Sequence, residues 1–372
     1  MDYRHMPHKG IQELIPYKAG KSIEELAKEK GLTDIVKLAS NENPLGCSSK
    51  VLKYFQNLSG EAAAMYPHPH QHPLRQALAH KLGVEDSQIL ISNGSDAIFT
   101  LLLNLFCLHR NKHLLAHNYA FASYEIQAQT LGIPVKKAPV DKSMCLNLDN
   151  ILGMCSADTG IIMFANPNNP TGTLISVNDI VKFIQAVPPE IIVLVDEAYF
   201  EFAFDNNEES ALPLLRQFPN LVITRTFSKI YGLAGLRLGY AIASPELVEL
   251  MWRVQLPFAC NTVAMQAGLI ALEDEAFVQQ TLEINHSGMR QVSKGLEALA
   301  LPCLPSACNF LTFNCQHPAM DVYQFLLNYG VITRPLGAYG LSEYIRVSIG
   351  TEYQNQRFLD TMQRFYTKEN KK

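Results

Sequence analysis

The chain has 372 residues, with 31 Lys and Arg against 35 Asp and Glu, so its formal net charge is −4. At roughly 150 residues per domain, this length predicts about two domains. The lack of a basic excess argues against a general nucleic-acid-binding protein, and the longest apolar stretch is too short to predict a membrane span. The first residues lack the apolar core of a signal peptide, so we expect a soluble, cytoplasmic protein.

Apolar, strand-like runs alternate with helical patterns through the first part of the chain. We predict strands at residues 88–92, 113–117, 161–165, 191–195, 221–224 and 238–243, and helices at 95–108, 119–131 and 178–186. Strands that alternate with helices imply crossover connections and a mostly parallel sheet with helices on both faces. The run 191–195 is apolar at every position, which is typical of a central strand buried on both faces.

The pattern changes near Pro257. Beyond it we predict helices from about 262 to 300 with a break near 273–275, a strand at 309–313, a helix at 320–328, strands at 330–334 and 344–349, and a final helix from 351. The predicted fold class is α/β, with a large domain at 46–258 and a smaller C-terminal α+β domain at 259–372. Residues 1–45 are too few for a domain of their own, so we expect an arm that packs on the small domain or on a partner subunit.

Polar side chains follow three of the predicted strands. Ser95 and Asp96 lie in a small turn that opens a helix, where free backbone N–H groups suit a phosphate, although a simple capping turn has the same composition. Asn169 lies in the rigid loop ANPNNPTG (165–172). Asp196 directly follows the apolar run, where a carboxylate needs a cation or a hydrogen-bond donor. A structural salt bridge and a functional role remain equally good explanations for this carboxylate.

A fourth group follows the strand at 221–224. Thr226, Ser228 and Arg237 together make a competent phosphate clamp. Lys229 stands beside them, and a desolvated lysine near other cations has a lowered pKa and becomes an amine nucleophile. Taken alone, Lys229 would be explained simply as an exposed surface lysine.

Together the four places predict a site for pyridoxal 5′-phosphate, a cofactor that needs a lysine, a carboxylate at its pyridine nitrogen and donors to its phosphate and phenolate oxygen. Lys229 is the candidate for the Schiff base, and Asp196 is the candidate to keep the pyridine nitrogen protonated. Asn169 and Tyr199 are candidates to donate to the phenolate oxygen. Tyr119, at the end of the strand 113–117, is the candidate to stack on the ring.

The ordered motifs resemble those of fold type I pyridoxal-phosphate aminotransferases, and more narrowly the histidinol-phosphate aminotransferase branch. They are SNENPLG (40–46), YPHP (66–69), NGSD (93–96), ANPNNPTG (165–172), VDEAY (195–199), TFSK (226–229), GLRLGY (235–240) and YIRVSIG (344–350). The resemblance extends from about residue 17 to residue 357. It implies a homodimer with two active sites at the subunit interface.

Carried over position by position, the resemblance implies roles for individual residues. The catalytic residues would be Lys229, Asp196 and Tyr199. The other cofactor-binding residues of the same chain would be Ser95, Asp96, Tyr119, Asn169, Thr226, Ser228 and Arg237. Tyr66 would reach the phosphate from the neighbouring subunit, and the substrate would contact Tyr17, Asn169, Arg334 and Arg346.

The reaction implied is the reversible conversion of histidinol phosphate and 2-oxoglutarate to imidazole-acetol phosphate and glutamate, a step of histidine biosynthesis. Because one substrate carries a phosphate and the other carries carboxylates, one pocket must accept either group. Arg334 and Arg346 lie in adjacent strand-like runs and are expected to face one anion, although pairing with surface acids such as Glu343 or Glu352 is the alternative. An aromatic-amino-acid aminotransferase and a phosphothreonine decarboxylase of the same fold remain open.

One motif departs from the family pattern, because His68 stands where the family has an acid after YP. His68, His70 and His72 alternate with prolines, which is more typical of a proline-rich loop than of a metal site. The eight cysteines are scattered without a C-x-x-C pair. We therefore predict buried, reduced thiols and no metal site.

Overall fold

The computed structural model of the chain describes residues 3–16, 20–203 and 210–369. Within them the α-helices are α1 (Lys9–Glu13), α2 (Ile23–Lys30), α3 (Ser49–Gln56), α4 (Gly60–Ala64), α5 (Pro73–Leu82), α6 (Ser95–Phe106), α7 (Ala122–Thr130), α8 (Leu148–Met154), α9 (Val177–Ala186), α10 (Phe200–Ala203), α11 (Pro245–Val254), α12 (Thr262–Leu272), α13 (Glu275–Ala298), α14 (Ala319–Asn328) and α15 (Glu352–Glu369). The strands are β1 (Val36–Lys37), β2 (Ile89–Ser92), β3 (His113–His117), β4 (Val135–Ala138), β5 (Thr159–Ala165), β6 (Ile192–Asp196), β7 (Leu221–Thr226), β8 (Gly239–Ala243), β9 (Phe310–Asn314), β10 (Val331–Ile332), β11 (Arg334–Pro335) and β12 (Tyr344–Ser348). None of the described helices is both long and apolar enough to cross a membrane.

The largest sheet has seven strands in the order β2-β8-β7-β6-β5-β3-β4. β8 is antiparallel to both of its neighbours, whereas the other neighbouring pairs are parallel. The predicted mostly parallel sheet flanked by helices is therefore confirmed. Parallel neighbours bring the carboxyl ends of β5, β6 and β7 to one edge, which is where open α/β sheets bind their ligands.

Helices cover both faces of this sheet because its strands alternate their side chains between two apolar cores. In β6, Val193 and Val195 belong to the core that contains Ile180 of α9, whereas Leu194 belongs to the core that contains Ile98 of α6. A strand that is apolar at every position can therefore pack its alternate side chains into both cores. Asp196 ends this strand at the point where the apolar alternation stops.

A second, antiparallel sheet of three strands has the order β11-β12-β9. The single predicted strand at 330–334 is wrong, since the segment divides at Thr333, which is fully buried. β10 pairs in parallel with β1 near the N-terminus, while β11 pairs with β12. The register sets Arg334 opposite Arg346, so the two arginines are adjacent, as their predicted strands required.

Two further differences from the predicted elements have local causes. β4 was not predicted because its Lys136 and Lys137 are exposed, and charged residues are common on an edge strand. The predicted helix 119–131 begins at Ala122 instead, because Tyr119 has the left-handed φ of 61°, which does not continue into a helix. The later start changes which aromatic residue reaches the site.

Candidate active site

A cavity of about 260 Å³ lies at the carboxyl ends of β5, β6 and β7. Its lining includes most of the residues predicted from the sequence: Ser95, Asp96, Asn169, Asp196, Tyr199, Thr226, Ser228, Lys229, Arg237, Arg334 and Arg346. Tyr17 lies outside the described residues. Tyr66 lies outside the cavity of its own chain, with 72% of its surface exposed.

Lys229 follows β7 in a buried loop, and its Nζ donates a hydrogen bond to the carbonyl oxygen of Ser40, 3.2 Å away. Burial lowers the pKa of this amine to about 8, and the nearby charge of Arg346 acts in the same direction. Near neutral pH a useful fraction of the amine is therefore unprotonated, as a nucleophile or a general base requires.

Asp196 is 3% exposed, and hydroxyl groups hold both of its carboxylate oxygens. Tyr124 donates to Oδ2 and Thr224 donates to Oδ1, each at 2.9 Å. Burial raises the pKa of this carboxyl to about 7 despite these two hydrogen bonds. A cation brought next to Asp196 would therefore gain a partner already oriented by two donors.

The structural salt bridge considered for this strand end belongs to the next residue. Glu197 accepts hydrogen bonds from Nε and Nη2 of Arg225 at 3.0 and 2.7 Å, and both side chains are buried. Ser210 and the backbone N–H of Ala211 also donate to Glu197. The two explanations thus apply to adjacent carboxylates: Glu197 forms the structural salt bridge, and Asp196 is the candidate for the functional role.

Groups that suit a phosphate lie together where α6 begins. Gly94 has φ 80°, a conformation that residues with a side chain rarely adopt, and a Cβ at this position would lie 2.8 Å from Nη2 of Arg237 and displace that guanidinium. Arg237 contacts the Asp96 carboxylate at 3.5 Å, and Ser123 donates to the same group at 2.6 Å. Since a phosphate and a carboxylate repel each other, Asp96 would meet a phosphate through its backbone N–H at the helix N-terminus.

Tyr199 and Arg346 share a hydrogen-bond network on the opposite wall. The Tyr199 hydroxyl accepts from Nδ2 of Asn169 at 3.2 Å and from Nδ2 of Asn41 at 2.9 Å. Arg346 donates to Oδ1 of Asn169 at 2.5 Å and to the carbonyl oxygen of Ala39 at 2.7 Å. Arg346 therefore reaches the cavity with neutral oxygens as its hydrogen-bond partners, which leaves its charge available to an anion.

Phe121, rather than Tyr119, lies on the cavity wall. Tyr119 turns away in its left-handed conformation, and its carbonyl oxygen accepts a hydrogen bond from Asn168 at 3.0 Å. The side chain lines a neighbouring cavity instead. Phe121 replaces Tyr119 as the candidate to stack on a cofactor ring.

The structure places at the site several residues that were not predicted from the sequence. Ser40, Asn41 and Glu42 line the cavity, and Tyr124 and Thr224 hold Asp196. The first three belong to the SNENPLG motif, which was the available signal. Tyr124 and Thr224 had no such signal, because their role depends on contacts made across the fold.

Comparison with known proteins defines the class of the chain. Residues 33–362 match the family model of the class I and II aminotransferases, so the chain belongs to that family. The family depends on pyridoxal 5′-phosphate, which confirms the cofactor predicted from the sequence.

Curated relatives of the chain include proteins named histidinol-phosphate aminotransferase 2. The one from Legionella pneumophila strain Philadelphia 1 is 50% identical over 366 residues, covering 98% of this chain and 99% of the relative. The one from Methylococcus capsulatus is 42% identical over 360 residues, covering 95% and 96%. The predicted resemblance to this branch is confirmed.

Solved structures share the fold. The histidinol-phosphate aminotransferase from Sinorhizobium meliloti, in complex with pyridoxal-5′-phosphate, superposes with a TM-score of 0.86 at 24% identity, covering 97% of this chain and 98% of its own. At that identity the likeness concerns the fold alone. The roles of individual residues in this chain therefore depend on the geometry of its own cavity.

Proposed function

We propose that this aminotransferase converts L-histidinol phosphate and 2-oxoglutarate to imidazole-acetol phosphate and L-glutamate, as a cytoplasmic homodimer. The names of its relatives support the substrate. The observation that carries the proposal is the pairing of Arg334 opposite Arg346 beside the half-buried Lys229. A pair of guanidinium groups binds phosphate and carboxylate with the same geometry, as two such different substrates require.

The cavity fits the cofactor on the grounds of its donor set. Arg237, the hydroxyls of Thr226 and Ser228, and the backbone N–H groups at the start of α6 would hold the phosphate. Asp196 would accept a hydrogen bond from the protonated pyridine nitrogen, and Phe121 would cover one ring face. When bound, the cofactor supplies an electron-withdrawing ring that stabilises negative charge on the substrate carbon.

Lys229 would attach the cofactor and then carry the proton. Its Nζ, with a pKa lowered to about 8 by burial, would take the proton from the substrate carbon that bears the nitrogen and pass it to the cofactor carbon bonded to the same nitrogen. Asp196, held by two hydroxyls, stays in place while the charge beside it changes. Arg346 and Arg334 would hold the substrate anion, so that the carbon that loses its proton stays within reach of the amine.

Attachment at Lys229 is tested by reducing the purified protein with borohydride and mapping the labelled peptide. We expect label on the peptide that contains Lys229 and loss of transamination in Lys229→Ala. Lys37→Ala is the matched control, because Lys37 is paired with Glu42 near the cavity mouth and its loss should leave labelling intact. Label on another lysine would overturn the assignment.

The substrate is tested by comparing kcat/KM for histidinol phosphate, phenylalanine and phosphothreonine. We expect histidinol phosphate to be preferred to phenylalanine by a wide margin, because its divalent phosphate gains more from two guanidinium groups than the single carboxylate of phenylalanine does. An equal rate with phenylalanine would favour an aromatic-amino-acid aminotransferase. Release of carbon dioxide from phosphothreonine would favour the decarboxylase.

A homodimer with composite sites is supported by an exposed apolar patch. Met65, Tyr66, Leu256 and Phe258 are exposed, and the ring of Tyr66 stacks on Phe258 with centroids 4.5 Å apart. Adjacent exposed apolar side chains mark interaction surfaces. In the proposed dimer this patch brings Tyr66 to the phosphate of the partner's site.

Mixed subunits test this arrangement. Lys229→Ala and Tyr66→Glu are each expected to be nearly inactive, the second because a carboxylate repels the phosphate. Refolding them together should restore about a quarter of the wild-type activity, because half of the dimers are hybrids with one intact site. Mixing Lys229→Ala with Asp196→Asn is the control and should restore nothing. Both residues line the site of their own chain, so each subunit of the hybrid carries a defective site. A fully active monomer would contradict the proposal.

A further inference from the structure

The hydrogen bonds that the Tyr199 hydroxyl accepts determine the direction in which it donates its own proton. It accepts from Nδ2 of Asn41 at 2.9 Å and from Nδ2 of Asn169 at 3.2 Å. A phenol oxygen has two acceptor positions and one proton. With both acceptor positions filled, the proton is left to be donated, and the side of Tyr199 that remains open faces the cavity.

The orientation of the two amides follows from their other partners. Arg346 has no acceptor atom, so the Asn169 atom that it contacts at 2.5 Å is the oxygen, and the nitrogen faces Tyr199. Ser348 Oγ accepts from the backbone N–H of Asn41 at 2.8 Å and lies 2.9 Å from Oδ1 of the same residue. In the structure the serine hydroxyl donates to Oδ1 of Asn41, and Nδ2 of Asn41 donates to Tyr199.

Asn41 is held rigidly in this position. It is 1% exposed and has a φ of 56°, a left-handed conformation that asparagine adopts more readily than other non-glycine residues. Its carbonyl oxygen accepts from Nδ2 of Asn309 at 3.1 Å. Burial also raises the pKa of Tyr199, so the hydroxyl keeps the proton that this geometry directs.

We propose that Asn41 is a positioning residue, which together with Asn169 forces Tyr199 to donate its proton into the cavity, to the phenolate oxygen of the bound cofactor. The inference rests on the proposed function, since it needs the cofactor in this cavity. A donor to that oxygen favours its charged form. Asn41 therefore lowers the pH at which the bound cofactor changes its protonation state and its visible absorption.

The isosteric substitution Asn41→Asp tests the direction of the bond. The new carboxylate accepts where the amide donated, so the Tyr199 proton turns towards it and away from the cofactor. We expect the pH midpoint of the visible absorption change to rise by about one unit, the size of one hydrogen bond to a charged oxygen. Asn41→Ala, which adds no charge, should raise the midpoint by less, and KM for histidinol phosphate should change less than kcat.

A double-substitution cycle separates positioning from a general structural effect. If Asn41 acts through the Tyr199 hydroxyl, Asn41→Ala should not move the midpoint further in a Tyr199→Phe background. Ser348→Ala is a second variant, which leaves Asn41 in place but frees its amide to rotate, and should shift the midpoint in the same direction. Asn43→Ala is the matched control from the same loop, because the Asn43 amide donates to Ile230 and Thr281.

Two results would overturn the inference: an unchanged midpoint in both Asn41→Asp and Ser348→Ala, or an Asn41→Ala shift that persists undiminished in the Tyr199→Phe background. Wild-type protein that binds the cofactor but fails to use histidinol phosphate would refute the proposed substrate and leave this inference intact. Wild-type protein without a visible band would overturn both.

Discussion

Asp196 and Glu197 are consecutive carboxylates at the end of one strand, but in the described part of the chain Glu197 has a charged partner and Asp196 has only neutral ones. Glu197 faces a buried guanidinium, with two hydrogen bonds from Arg225. Asp196 faces the cavity, and neutral hydroxyls of Tyr124 and Thr224 hold it. The alternation of side chains along a strand gives the two residues to different sides of the sheet.

The same contrast separates two buried arginines. Arg225 donates to a carboxylate, whereas Arg346 donates to the neutral oxygens of Asn169 and Ala39. Nε of Arg346 is buried without a hydrogen-bond partner among the described residues. Burying a charge is unfavourable unless it is paired. Glu197 and Arg225 neutralise each other within the protein. Asp196 and Arg346 have only neutral hydrogen-bond partners within the ranges that the structure describes, so we infer that their opposite charges are supplied by bound ligands.

The comparison predicts that Asp196→Asn reduces activity without reducing stability. The amide keeps the shape but cannot hold a proton on the pyridine nitrogen, so kcat/KM should fall roughly 10³-fold or more. The free energy of unfolding of the cofactor-free protein, from urea denaturation, should stay level or rise, because a buried carboxyl with a raised pKa is removed. Near-normal turnover would refute the role of Asp196.

Glu197→Gln should give the reverse result. Removing one partner of a buried ion pair leaves Arg225 without its hydrogen-bonded carboxylate, with the charge of Glu201 still acting on it, and costs up to about 3–5 kcal/mol in the free energy of unfolding. The protein that remains folded should keep most of its kcat, since Glu197 lies away from the cavity.

Combining Glu197→Leu with Arg225→Met is the control for that variant, because replacing both charges with apolar groups should recover much of the lost stability. If Glu197→Gln instead abolished turnover at unchanged stability, the division between the two carboxylates would be wrong.

The two arginines that face the cavity should differ from each other. Arg346→Ala is expected to lower kcat/KM for both glutamate and histidinol phosphate. The decrease should correspond to a loss of about 2–4 kcal/mol in transition-state stabilisation, the effect of losing a charged hydrogen bond. Arg334→Ala should affect the phosphorylated substrate more than glutamate, because the divalent anion gains more from a second guanidinium. Steady-state kinetics of each half-reaction measure this, and equal effects of Arg334→Ala on both substrates would contradict it.

The sequence was sufficient for the parts of the site that lie at strand ends. The apolar run before Asp196 predicted a central strand, and residues after such strands gather at one edge of a parallel sheet. It was not sufficient where a contact joins distant segments. The hydroxyl of Tyr124 reaches Asp196 from a helix, and Asn41 reaches Tyr199 from the N-terminal region, and neither contact leaves a local pattern.

Backbone conformation accounts for the error at Tyr119. A tyrosine with positive φ is uncommon, so nothing in the sequence predicts that the chain turns there and that Phe121 reaches the cavity instead. The missed strand β4 has a related cause, because its exposed lysines hide the short pairing with β3. The reach of Tyr66 into a partner's site stays a prediction.

The smallest expected effect concerns the charge that Arg346 places beside Lys229. With its pKa lowered from 10.5 to about 8, about a tenth of the Lys229 amine is neutral at pH 7, and only the neutral amine attacks an aldehyde. The rate of pyridoxal 5′-phosphate incorporation into cofactor-free protein should therefore rise about tenfold per pH unit below 8 and level off above it.

Burial is the main cause of the lowered pKa and Arg346 is the next, so Arg346→Met removes a repelling cation and should raise the Lys229 pKa. The whole rate profile should then move to higher pH, by less than about one unit, because burial remains. Free cofactor titrates identically in both experiments, so the displacement between the two curves reports the amine alone. Arg253→Met, which removes an exposed arginine paired with Glu249 on α11, is the matched control and should leave the profile in place. If the profiles of wild type and Arg346→Met coincide, Arg346 is not an uncompensated charge beside Lys229, and the contrast with Arg225 loses its basis.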